Sequence, residues 1–255
     1  MGRRPSGIPA DGQGRCGRSE PGYPGGTLSA ARPEEHHIRV GRTARYHTLG
    51  DPAGPLREVW FVCHGYAQLA GRFIRRFEPI AGETRLIVAP EALNRFYLDN
   101  EPGPHGPESR VGATWMTRED RLTEIQDYVA YLDTLYAHIL ERADRDAVRV
   151  YALGFSQGAV TACRWVAMGK SRVDRLILWS SFLPVDLDLN AAAERLRAVR
   201  PILVAGTEDQ YAGPELAERD AARLRKLGVD ARVVTFPGGH VIDPAVLGQV
   251  ANADD

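Results

Sequence analysis

Much is missing from this sequence, and each gap excludes a class of protein. No apolar run approaches the ~18 residues that a membrane-spanning helix needs, so stable insertion into a bilayer is not expected. An excess of one charge is missing too: 32 Lys and Arg stand against 33 Asp and Glu, for a net charge of −1. Such a balance offers no electrostatic reason to expect a nucleic acid or an anionic membrane as partner. Cysteine is scarce. Cys16, Cys63 and Cys163 are too few and too scattered for a disulfide framework, and no CxxC pair suggests a metal or redox site. Cys63 falls in a strand pattern and Cys163 in a helical one, so both read as small buried packing residues. No His-Glu-x-x-His string occurs, and the adjacent His36 and His37 lack the spacing of paired ligands, which argues against a zinc hydrolase. No apolar segment of about 7–15 residues precedes residue 37, so no secretory signal is expected. With the cysteine usage, that points to a reducing, cytoplasmic setting.

What is present is the chemistry of an ordinary soluble domain. The 255 residues are 44% hydrophobic, enough for one sizeable core. Residues 1–34 are rich in Gly, Pro and Arg and read as a disordered tail that cannot bury enough surface to fold. Residues 35–255 read as a single domain. There, strand-like and helix-like segments alternate, the sign of a mainly parallel sheet with helices on both faces. Apolar runs at 59–63, 85–89, 148–153, 176–179, 202–205 and 232–236 predict buried strands. Residues 37–48 are expected to form an opening antiparallel hairpin. Leu122, Ile125, Val129, Leu132, Leu135 and Ile139 recur at steps of three and four, predicting a helix with one apolar stripe. Thr117 followed by Asp120 offers its N-cap. A second helix contains Leu216, Ala221 and Leu224, and Gly228 can end it. The stretch 91–116 shows no period and predicts a long irregular loop. Its aromatics either pack down onto the body or form a flap over a pocket.

One string carries chemistry. Gly154-Phe155-Ser156-Gln157-Gly158 lies between a strand pattern and a helical one, the setting a nucleophilic serine at a tight turn requires. By itself a Gly-x-Ser-x-Gly string is weak evidence; the strand–turn–helix context strengthens it. Gly154 and Gly158 remove side chains that would collide with neighbouring backbone. The helix that follows directs its N–H groups toward a developing oxyanion. A serine hydroxyl needs a general base, and His240 is the best placed, in Gly238-Gly239-His240 beyond the last strand. An acid must orient that imidazole. Asp209, after the run 202–205, is favoured, with Glu208, Asp186 and Asp188 as alternatives. The order Ser156, Asp209, His240 is that of the α/β-hydrolase fold. The second oxyanion donor belongs after an earlier central strand, where His64-Gly65-Tyr66 stands, so the backbone N–H groups of Tyr66 and Gln157 are assigned to the hole. His64 is given a structural role, shaping this loop.

With these residues assembled, the chain resembles the phospholipase/carboxylesterase family of α/β hydrolases, which includes acyl-protein thioesterases. The resemblance rests on His64-Gly65-Tyr66, Gly154-Phe155-Ser156-Gln157-Gly158, Trp179-Ser180-Ser181-Phe182-Leu183-Pro184, Gly206-Thr207-Glu208-Asp209 and Gly239-His240. It covers roughly residues 55–250. It implies hydrolysis of carboxylic esters or thioesters through an acyl-serine, with no metal or organic cofactor. Tyr66, Phe96, Tyr97, Trp115 and Phe182 are the candidate substrate-binding residues; Trp115 stands about where family members often carry a Trp near the acyl pocket. Two departures touch the site: Ala67 and Gln68 replace the small residues usual after His-Gly-x, and Gln210-Tyr211-Ala212-Gly213 replaces a Val-Pro pattern. The expectation is an esterase for small or medium acyl groups whose partner is a small-molecule ester, with a homodimer left open. Two alternatives stand beside it: a lysophospholipase or acyl-protein thioesterase, and a non-catalytic ligand-binding protein of the same fold.

Overall fold

The computed structural model describes residues 32–99, 103–141 and 143–253. Most of the expected tail, 1–34, lies outside the described residues. The chain divides after Gly41, and every helix and strand described belongs to Arg42–Asp255.

In chain order the elements are β1 (Tyr46–Leu49), β2 (Glu58–Cys63), the short helix α1 (Ala70–Phe73) with a 3₁₀ turn (Ile74–Ile80), and β3 (Arg85–Pro90). Next come β4 (Asn94–Tyr97), β5 (Val111–Thr114), α2 (Arg121–Ile139), β6 (Arg149–Phe155), α3 (Gln157–Met168) and β7 (Arg175–Trp179). The chain then runs through α4 (Leu189–Val199), β8 (Ile202–Gly206), α5 (Pro214–Arg225), β9 (Arg232–Phe236) and α6 (Pro244–Asn252). Seven strands form one sheet in the order β1-β3-β2-β6-β7-β8-β9. All neighbours are parallel except β1, which runs antiparallel to β3.

The six expected strands all form, and alternation explains why their sequences are apolar throughout. Val59, Phe61 and Cys63 face one core cluster, shared with α2 to α5. Trp60 and Val62 face the other, built on α1, the 3₁₀ turn and α6. Successive side chains of a strand point to opposite faces, so a strand covered on both faces must be apolar at every position. Leu176 and Leu178 against Ile177 and Trp179 repeat the pattern in β7.

Four expectations need correction. Residues 37–48 form no hairpin: within the described residues, only the end of that stretch is a strand, and it pairs with β3 from Tyr46↔Pro90 to Leu49↔Ile87. The partner was 40 residues away, so no local pattern marked it. The stretch 91–116 is not wholly irregular, because β4 and β5 pair as a separate antiparallel ribbon. In α2 the stripe holds from Ile125 to Leu135, but Leu122 is 68% exposed. Thr117 is not its cap; the helix starts at Arg121, after Asp120 at φ 46°, with no side-chain cap.

Sheet order reverses at β2. The chain leaves β2 toward β3, then returns past it to β6 on the other side. In open parallel sheets such a switch opens a crevice at the carboxyl ends of the two strands. The segments lying there are His64-Gly65-Tyr66, after β2, and Ser156, after β6.

Candidate active site

Ser156 separates β6 from α3 at φ 54°, ψ −120°, a conformation that costs a non-glycine residue about 1–3 kcal/mol. Its backbone is held on both sides: Ser156 N–H donates to the Trp179 carbonyl at 2.9 Å, and Ala159 N–H to the Ser156 carbonyl at 3.0 Å. The flanking glycines are sterically required. A Cβ on Gly154 would lie 2.1 Å from the Gly158 oxygen, and one on Gly158 would lie 2.1 Å from the Cys63 oxygen. The helix thus begins in backbone contact with the end of β2, which brings the two halves of the crevice together.

His240 and Asp209 arrive from the far side of the sheet. The loops after β8 and β9 are joined by backbone bonds, Thr207 N–H to Phe236 O at 2.9 Å and Glu208 N–H to Gly238 O at 2.8 Å. Gly206 permits this approach, since a Cβ there would fall 2.3 Å from the Gly238 oxygen. The Trp179 indole N–H ties the histidine loop down by donating to the Val241 carbonyl at 2.8 Å. As a result His240 Nδ1 lies 2.8 Å from Asp209 Oδ2. The other carboxylate oxygen accepts the N–H groups of Tyr211 and Ala212 at 2.8 and 3.0 Å. Burial pushes the Asp209 carboxyl up, but the hydrogen bonds from Tyr211, His240 and Ala212, with the nearby Ser180 hydroxyl, outweigh it and hold the group below its usual range.

The competing acids are occupied elsewhere. Asp188 caps α4, accepting from Asn190 and Ala191 N–H. Asp186 pairs with Arg121 and Arg164. Glu208 is exposed at the tip of its loop.

The loop after β2 is braced from three directions. Gln68 Oε1 accepts the Gly65 N–H at 2.9 Å, and Ala67 N–H donates to the Ala113 carbonyl at 2.9 Å. The Trp115 indole N–H donates to the His64 carbonyl at 2.8 Å. Ala67 takes φ 62°, a left-handed conformation that favours glycine, which explains why its departure from the family pattern matters. Gly65 passes so close that an added Cβ would lie 3.3 Å from the Ser156 Cβ. This puts the loop beside the nucleophile candidate. The Gln157 side chain is turned away, bonded to Thr114, Trp115 and Met116.

His64 is buried beneath this loop. Ala92 N–H donates to Nε2 at 3.1 Å, so Nδ1 carries the proton and donates to the Gly65 carbonyl at 2.8 Å. Burial lowers its pKa, against smaller opposing effects of the Gly65 carbonyl and Glu91. Protons then bind more weakly to the folded than to the unfolded imidazole. The resulting stability is present above the ordinary value near 6.5 and is lost as pH falls toward the depressed folded value. His64→Gln, which keeps an acceptor but cannot titrate, is therefore expected to flatten the acid side of the stability profile. Urea unfolding midpoints measured from pH 8 to pH 5 check this; unchanged slopes would remove His64 as the source.

A cavity of about 540 Å³ opens at Ser156 and is also lined by His240, Tyr211 and Phe182. Among the expected substrate-binding residues only Phe182 lines it. Trp115 is buried under the loop, between His64 and Tyr128. Tyr66 packs against Phe96 with the rings tilted by 32°, and Tyr97 stacks on His105, none of the three aromatics lining this cavity. Nothing in the spacing of these aromatics separated wall from brace. The residues missed from sequence are Gln68 and the pair Arg121 and Arg164. Arg164 follows Ser156 by eight positions along α3, a helical period that marks a shared face. No helix among the described residues is long and apolar enough to cross a membrane.

Comparison with known proteins bears on the fold and the family. Acyl-protein thioesterase 2 from Zea mays superposes with a TM-score of 0.63 at 17% identity, over 82% of this chain and 96% of that one. A carboxylesterase from Mesorhizobium loti gives 0.62 at 20% identity, over 82% and 95%. A phospholipase/carboxylesterase from Dyadobacter fermentans gives 0.57 at 16%, over 85% and 98%. At these identities the likeness establishes the α/β-hydrolase fold. No curated protein sequence matches significantly. The sequence profile of the Phospholipase/Carboxylesterase family matches residues 114–253, more than half of the chain and including Ser156, Asp209 and His240. The chain belongs to the phospholipase/carboxylesterase family and is a hydrolase of esterase type.

Proposed function

We propose that this protein hydrolyses carboxylic esters of small to medium acyl groups through an acyl-serine intermediate. The observation that carries the reading is the 2.8 Å contact between His240 Nδ1 and Asp209 Oδ2 beside a cavity lined by both His240 and Ser156. With Nδ1–H held by the carboxylate, His240 presents Nε2 as the base that takes the Ser156 proton and returns it to the leaving alcohol. The alkoxide attacks the carbonyl carbon. The oxyanion that forms is met by the N–H groups of Gln157 and Tyr66, fixed before substrate arrives and so requiring no reorganisation. Water activated by His240 then releases the acid. The chemistry asks for no cofactor, and a cytoplasmic location accords with the cysteine usage. Residues 1–34 are read as a tail to a domain spanning 35–255.

A fluorophosphonate probe tests the core of this reading. Labelling is expected at Ser156 alone, located by peptide mass spectrometry. A folded sample that takes no label there would instead favour a non-catalytic binding protein. The likeness to the Zea mays thioesterase keeps the long-chain alternative in view. Nitrophenyl esters of increasing length separate the two, since rates that climb steadily toward long acyl groups would favour the lysophospholipase or thioesterase version.

A further inference from the structure

The Ser156 cavity has a charged end. Val160 and Arg164 follow Ser156 at steps of four along α3, so all three share one face of the helix, and all three line the cavity. Eight residues of helix rise about 12 Å, so the Ser156 and Arg164 backbones lie about two turns apart along the axis. Most of the wall between is apolar, with Val160 and Phe182 among its residues. Arg121, from the first turn of α2, joins Arg164 at the far end.

A buried arginine is rare unless paired, and Arg164 is only 1% exposed. Its partner Asp186 accepts from Arg164 at 2.5 Å and from Arg121 at 3.0 and 3.1 Å. One carboxylate thus serves two guanidinium groups, leaving an unbalanced positive charge. Of the remaining contacts, those to sulfur are weak. One nitrogen of Arg121 donates to the Met116 sulfur at 3.1 Å, and one of Arg164 lies 3.6 Å from the same sulfur and 3.2 Å from the Tyr128 hydroxyl. A thioether is a weak acceptor, so the Arg121 N–H would gain by meeting a carboxylate, while the Arg164 nitrogen already has the Tyr128 hydroxyl. Met116 itself lines the cavity, with its side chain at the place such a group would occupy.

Direction follows from the mechanism. His240 must protonate the leaving alcohol, so the alcohol sits at the His240 end, and the acyl arm runs the other way, along Val160 toward Arg164. We propose that Arg121 and Arg164 make this cavity selective for esters whose acyl arm ends in a carboxylate, that is, monoesters of dicarboxylic acids. The distal carboxylate takes no part in bond exchange; water still converts the ester to acid and alcohol. The inference rests on the serine-esterase reading above.

The test compares ethyl hydrogen adipate with ethyl hexanoate, of equal acyl length. The wild-type protein is expected to favour the adipate half-ester in kcat/KM by about tenfold or more, the scale of one charge-assisted hydrogen bond. Arg121→Gln should collapse that ratio, and Arg121→Lys should keep most of it. Arg121 is partly exposed, so its substitution is expected to preserve the fold, which a thermal melt checks. A wild-type ratio at or below one, or a ratio unchanged in Arg121→Gln, overturns the proposal while leaving the esterase reading intact. If neither ester is turned over, the reading of the reaction fails, and calorimetry still decides the site. Ser156→Ala protein should then bind the half-ester about tenfold more tightly than the same protein carrying Arg121→Gln; equal or undetectable binding overturns the inference.

Discussion

Replacing Ser156 with Ala is expected to lower ester turnover on the order of 10⁶-fold while leaving the fold in place. The hydroxyl is the atom on which the proposed reaction turns. The thiols among the described residues, Cys63 and Cys163, are fully buried, and burial raises the Cys163 thiol to about 12 and Cys63 further. What remains should be the weak catalysis of the oxyanion donors and of binding alone. Stability should change little, within about 1 kcal/mol, because the elbow is held by backbone bonds that Ala also makes. Ala inherits the same positive φ and the same strain. Steady-state rates on a nitrophenyl ester, paired with a thermal melt, check both halves. Near wild-type turnover in a folded variant would remove Ser156 as nucleophile.

Asp209→Asn should cost on the order of 10⁴-fold in kcat with little movement of the loop. The carboxylate now accepts on both oxygens, from Tyr211 and Ala212 N–H on one and from His240 on the other. An amide has only one oxygen. If that oxygen keeps the two backbone N–H groups, the NH₂ faces Nδ1, which must then accept. The imidazole proton is forced to Nε2, and the base that Ser156 needs is gone. The carboxylate also links activity to stability. Its folded pKa is depressed, so the unfolded chain binds the proton more tightly, and stability is full above the ordinary carboxylate range and falls as pH drops toward the folded value. Asp209→Asn should therefore weaken the acid dependence of unfolding as well as kcat. A variant with wild-type kcat would return the acid role to another residue.

The parts of the fold that could be read from sequence share one property: their signal is local. Residues 59–63 and 176–179, within Glu58–Cys63 and Arg175–Trp179, are buried on both faces, so four or five adjacent apolar residues announce a strand. Gly154 and Gly158 are demanded by atoms within the elbow and by the strand beside it, and their spacing showed this. The β4–β5 ribbon was hidden because Asn94-Arg95-Phe96-Tyr97 is half polar and its partner begins at Val111, after a long excursion. Leu122 kept the helical period of α2 yet lies on its first turn, exposed, where the period alone gives no warning.

The site divides in the same way. Sequence by itself determined the nucleophile candidate and its turn, and it offered a candidate acid, a candidate base and two loops that could supply oxyanion donors. Each of these is a residue type at a required offset from a strand end. Only the tertiary structure decided what each acid and aromatic does. Asp188 caps a helix, Asp186 binds two arginines, and Asp209 meets His240, though all three follow strands of the same sheet. Trp115 left the pocket wall to brace the His64 carbonyl, and Arg164 took a place on that wall. The reason is physical: a hydrogen bond or ion pair is set by which side chains converge across the sheet, and convergence is a property of the packed chain rather than of any window along it.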